Sequence, residues 1–167
     1  MAYFEWADDM VIDGGPIDED HRRLVDQVNA LHTATSEGKG RDVVAALLHE
    51  VIESTREHLR REEQIMAQMG FPNLDGHKKG HNYFMDELYA LERKQQEGSI
   101  TVAAQLSSVL RDWLSLHIRR NDKELLRFHR NQAREQKRAA LQARALPGTR
   151  SALKAPASAP APIPRLK

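Results

Sequence analysis

Five histidines and two carboxylates in this chain fall at spacings that suit metal coordination. His77 and His81 bracket the stretch HKKGH, and on a helix positions four apart stack on one face. His58 and Glu62 repeat that spacing in HLRREE, and His21 closes IDEDH. His117 is followed five residues later by Asp122 in WLSLHIRRND. The chain has no cysteine, which excludes disulfides, thiolate zinc sites, iron–sulfur clusters and cysteine nucleophiles. Any metal must be held by nitrogen and oxygen.

The elements that position these residues follow from hydrophobic periodicity. Glycine and proline cluster at 14–16, 36–40, 70–76 and 97–99, and four stretches of helical period lie between and beyond them. The first begins near Asp18, a good N-cap, and carries His21, Leu24, Val25, Val28 and Leu31 on one stripe. The second runs from about Asp42 to Met69 through Val44, Leu48, Val51, His58, Glu62 and Met66. The third runs from about Leu74 to Gln96 through His77, His81, Phe84 and Leu88, and the fourth starts near Thr101 and carries Leu106, Leu110, Trp113, Leu114 and His117. Short connections make sequential helices neighbours, so the expected fold is all-α, an up-down-up-down antiparallel four-helix bundle with a short N-terminal arm.

Every stripe then contributes a potential ligand to one interior. A lone histidine on an apolar face is usually a hydrogen-bonded core residue, and His32, His49 and His129 are read that way. Seven such side chains buried together without a cation would leave several unsatisfied polar groups, at over ~1 kcal/mol each. A structural zinc takes four ligands, and HKKGH has lysine where HExxH has its general base. Seven ligands suit two six-coordinate ions sharing bridging carboxylates, and imidazole with carboxylate suits non-heme iron. Ferritin-like di-iron sites are richer in carboxylate. Neutral imidazoles in a leucine and valine surround favour holding dioxygen reversibly over activating it.

Trp6, IDEDH, HLRREE, HKKGH and WLSLHIRRND together resemble the hemerythrin family in its bacterial single-domain form, over roughly residues 4–130. The resemblance implies one iron on His77, His81 and His117 and a second on His21 and His58. Glu62, Asp122 and a solvent-derived oxo or hydroxo group would bridge the two. It also implies that O2 enters at the two-histidine iron, with both electrons supplied by the irons and no side chain acting as a catalytic acid or base. The expected role is an oxygen carrier, store or sensor, not an enzyme. The alternatives are a di-iron peroxidase or oxidase, a nitric-oxide-handling protein, or a module signalling oxygen or iron status through its tail. Leu114 matches a pocket-lining position, while Leu59 and Ser54 stand where the family usually has aromatics. Gly80 admits two readings, close approach of a neighbouring group or simple tolerance. The spacing from His117 to Asp122 requires either a local helical bulge or an approach from the shoulder, because five residues turn a regular helix about 140°.

Residues 1–132 are read as the bundle and 133–167 as an Ala/Pro-rich tail, which can extend the fourth helix at its start and is then disordered. That tail holds eight basic residues and one acidic one in a chain of net charge +1, so the remainder is acidic. No aromatic residue follows Phe128, so base stacking has no platform and no nucleic-acid partner is expected. The N-terminus lacks the basic and apolar regions of a signal peptide, and VVAALL is far shorter than the ~20 residues that cross a bilayer. A cytoplasmic location is the expectation, with dioxygen as the partner and the tail's partner open.

Overall fold

The computed structural model describes residues 2–99 and 101–145. Four long helical rods account for most of it: α1 (Pro16–Ser36), α2 (Arg41–Met69), α3 (Leu74–Gln96), and α4 (Val102–His117), which continues into α5 (Lys123–Ala145). No strand occurs among the described residues. Packing of α1 on α2, α2 on α3, α3 on α4 and α4 back on α1 closes the expected antiparallel bundle.

Each helix buries the stripe its periodicity marks. Leu24, Val28 and Leu31 of α1 meet Leu48, Val51 and Ile52 of α2, Phe84 and Leu88 of α3, and Leu106 and Leu110 of α4 in one apolar core. Fully burying each such side chain contributes about 1.5–3 kcal/mol. Gly70, at φ 67°, ends α2 in the left-handed conformation, and the Phe71 N–H reaches back to the Met66 carbonyl at 3.0 Å. That closure satisfies an orphan carbonyl and turns the chain into α3.

The start of α1 differs from expectation. The helix begins two residues earlier, at Pro16, and Asp18 does not cap it. Asp13 instead accepts from the N–H groups of Gly15, Ile17 and Asp18, while the fully buried Asp18 carboxylate accepts from Ile12 and Gly14 at 2.8 and 2.6 Å. Proline pre-sets the first helical turn, which frees Asp18 to tie down the arm before it. That arm is pinned further by Phe4, which exchanges two hydrogen bonds with the Asn29 side chain, both 2.8 Å. Tyr3 stacks on His32 with ring centroids 3.6 Å apart.

Beyond Gln132, every residue of α5 from 133 to 144 is exposed. The start of the basic tail is therefore helical, while the expectation of disorder falls on residues 146–167, outside the described residues.

Candidate metal centre

Four helical rods bring the seven residues to one place. His58 and Glu62 lie one turn apart on α2, His77 and His81 one turn apart on α3, and His21 faces them from α1. The fourth rod supplies His117 and Asp122, and residues Ile118–Asp122 between them form a single π-helical turn. A π turn returns to the same face after five residues, so the bulge reading of this spacing holds. It turns both Ile118 and Asp122 inward, each with no exposed surface.

All seven side chains are buried, none more than 8% exposed. Glu62 Oε1 lies 3.1 Å from His77 Nε2, and its Oε2 lies 3.1 Å from His117 Nε2 and 3.6 Å from His81 Nε2. Across the centre, His58 Nε2 stands 3.9 Å from Glu62 Oε2 and 3.0 Å from His21 Nε2. Asp122 Oδ2 is 3.0 Å from His21 Nε2, and its Oδ1 is 3.0 Å from His117 Nε2. Each carboxylate thus touches histidines of both groups, as a bridging ligand must. Glu62, His77, His81 and His117 offer ligand atoms within 4.8 Å of one another, as do His58, Glu62, His117 and Asp122; His21 joins the second group through its contacts to His58 and Asp122.

These short contacts are not a satisfied hydrogen-bond network. His81 Nε2 and both oxygens of Asp122 make no directed hydrogen bond despite full burial. Leaving such atoms orphaned costs about 1–3 kcal/mol each. A cation at the centre of five converging Nε2 atoms and four carboxylate oxygens removes that cost, so the donor set fits a non-heme metal site.

Electrostatics follow from the same packing. Burial opposes charge on His117, but Asp122 and Glu62 outweigh it and raise its pKa to about 10. Burial and the Asp122 charge oppose ionisation of Glu62, yet hydrogen bonds from His117 and His77 hold it below its ordinary value. Against its own burial, Asp122 is held well below the carboxylate range by His117 and His21. Burial lowers His58 and His81, which favours neutral, ligating imidazole.

The sequence did not single out the groups behind the ligands. Glu63 Oε1 meets His81 Nδ1 at 2.8 Å, Asp20 Oδ2 faces His58 Nδ1 at 3.5 Å, and Asn121 Nδ2 lies 3.3 Å from His117 Nδ1. Asp20 and Glu63 are sequence neighbours of ligands in IDEDH and HLRREE, which was the one available signal. Three aromatic rings also stack in series: Phe84 on Trp113 at 3.6 Å, and Trp113 on His117 at 4.3 Å. Leu114 is 3% exposed within the core, and the shorter Leu59 is buried too. Ser54 accepts from Gln27 Nε2 at 3.0 Å. Trp6 lies 6.3 Å from the His21 ring.

Gly80 resolves to the tolerance reading, since a Cβ there would meet nothing within 4 Å. Of the remaining histidines, exposed His49 pairs with Glu92, while His32 and His129 stay outside the centre. No helix among the described residues is long and apolar enough to cross a membrane.

Comparison with known proteins agrees with this geometry. The family model described as the hemerythrin HHE cation binding domain matches residues 16–128, which span the centre from His21 to Asp122. A bacteriohemerythrin of Stenotrophomonas maltophilia (strain R551-3) is 33% identical over 139 residues, covering 81% of this chain and 90% of the relative. One from Methylococcus capsulatus is 29% identical over 124 residues, 74% of this chain and 94% of the relative. A crystal structure of a hemerythrin L114A mutant matches the fold with a TM-score of 0.66 at 24% identity, over 77% of this chain and 98% of that one. A bundle with its histidines and carboxylates so placed, matched by that model across both halves of the centre, belongs to the hemerythrin family.

Proposed function

We propose that this protein binds dioxygen reversibly at two non-heme iron ions, as a carrier, store or sensor without catalytic turnover, in the cytoplasm. The observation that carries the reading is the bridging arrangement of Glu62 and Asp122, each within 3.9 Å of histidines from both groups. His77, His81 and His117 would hold one iron, and His21 and His58 the other, with an oxo or hydroxo bridge between them. When bound, the pair supplies two electrons at neighbouring sites for a small diatomic ligand.

The chain's own residues keep that chemistry reversible. The two-histidine iron would have fewer protein ligands and so keep a position open. Leu114, Ile118, Leu110 and Phe84, none above 3% exposed, surround the ligands with apolar surface. Such a surround excludes water and external proton donors from the neighbourhood. No side chain is needed as an acid or base at the centre, in keeping with a role that is not enzymatic.

The test is a visible spectrum of iron-loaded, reduced protein taken without O2, with O2, and after purging with argon. A charge-transfer band that appears with O2 and vanishes on purging over several cycles supports the reading. A band that never forms, or that decays at once to a stable ferric spectrum, overturns it and favours a peroxidase or oxidase.

A further inference from the structure

Resting on the di-iron reading, we infer that two outer carboxylates, Glu63 and Asp20, make the two irons electronically unequal, so that the first electron leaves the three-histidine iron. Each carboxylate backs one ligand histidine through the ring nitrogen that faces away from the centre. Glu63 serves His81 at 2.8 Å, and Asp20 serves His58 at 3.5 Å. A carboxylate behind a ligand imidazole fixes its tautomer and raises its basicity, which favours the higher oxidation state of the metal.

The two carboxylates differ in what holds them. Asp20 is clamped by cations: Arg61 Nε and Nη2 reach its Oδ2 at 2.8 and 2.7 Å, and Arg23 Nη2 reaches its Oδ1 at 3.0 Å. Its negative charge is thus spent on two guanidinium groups, and with Glu57 3.8 Å from Arg61 Nη1 the cluster is close to neutral toward the His58 side. Glu63 has no such partner, because no lysine or arginine among the described residues pairs with it. Its charge falls on His81 alone.

The buried His21 ring adds to this difference. In the two-histidine group, buried His21 Nδ1 has no hydrogen-bond partner among the described residues. One iron is therefore backed by an uncompensated anion and the other by a compensated one.

The experiment uses full-length protein loaded with 57Fe, reduced, and titrated with ferricyanide to one electron per chain. Each ferricyanide takes one electron from one ferrous ion and becomes ferrocyanide, with no bond or proton exchanged. Mössbauer spectra distinguish the two irons by coordination, and a redox titration gives the two one-electron midpoints. In the native protein the ferric ion is expected at the three-histidine iron.

Glu63→Gln should raise the first midpoint, and Arg61→Gln, by unmasking Asp20, should lower the second. Both narrow the gap between midpoints and move the ferric partition toward the two-histidine iron by roughly tenfold, the order expected of a unit charge one imidazole away in a partly solvated site. Asp20→Asn should widen the gap. A merely structural role would weaken iron binding without these opposite signs. Midpoints that stay fixed with two irons bound, or a native ferric ion on the two-histidine iron, overturn the proposal alone. A chain that takes up no iron overturns the di-iron reading and the proposal with it.

Discussion

Asp122 Oδ1 lies 3.0 Å from His117 Nε2 although the two are five residues apart, because the intervening residues form one π turn. A regular helix would rotate Asp122 about 140° from His117 and out of the centre. The extra residue in that turn is what lets one helix bring both His117 and Asp122 to the centre.

Deleting exposed Arg120 should convert the turn to regular helix while preserving helical content by circular dichroism. Iron bound per chain is then expected to fall well below two, because Asp122 leaves the centre. Two tightly bound irons in the deletion variant would show that Asp122 is not required as a bridge.

The metal-free protein should carry a pH signature of the same pair. His117 is raised from 6.5 to about 10, so its stabilising interaction is complete below pH 6.5 and lost as pH rises through about 10. Asp122 is lowered, so its contribution is present above the ordinary carboxylate value of 3.8 and lost on stronger acidification. The urea midpoint of iron-free protein is expected to fall between about pH 7 and 10. With iron bound, His117 is deprotonated as a ligand, so this alkaline loss should vanish. Iron uptake at neutral pH should also release protons, measurable in weakly buffered solution.

Gly80→Ala should stabilise the protein. Gly80 is exposed within α3, and a Cβ there meets nothing within 4 Å. Replacing a mid-helix glycine with alanine gains about 0.5–1 kcal/mol. Thermal unfolding should shift upward with iron content unchanged. A loss of stability or of iron would revive a specific role for this glycine in HKKGH.

Leu114→Ala removes a buried side chain one turn from His117 and should lower stability by about 2–5 kcal/mol. The cavity also admits water beside the proposed oxygen pocket. We expect faster conversion of the oxygenated to the ferric form, followed by absorbance in air. Unchanged conversion with the expected destabilisation would place Leu114 in the core but not in the pocket.

The periodicity of apolar residues determined the four rods and put His21, His58, Glu62, His77, His81 and His117 on inward stripes. That reading works because helix period is a local property, and a stripe must be buried whatever its partner is. The hemerythrin resemblance was equally legible, since it lies in short motifs at fixed spacings.

Other features depended on backbone geometry and packing that helical period does not encode. Asp122 looked displaced by 140° until the π turn resolved it, and Asp18 looked like a cap until the preceding arm was seen folded onto its carboxylate. The pairing of Asp20 with His58, and of Glu63 with His81, joins neighbouring helices. A residue beside a ligand points about 100° away from it along its own helix, so only the packing of the next helix decides what it meets. The sequence by itself could determine which residues turn inward. Which of them meet at one centre, and which charges stand behind them, was decided by tertiary structure.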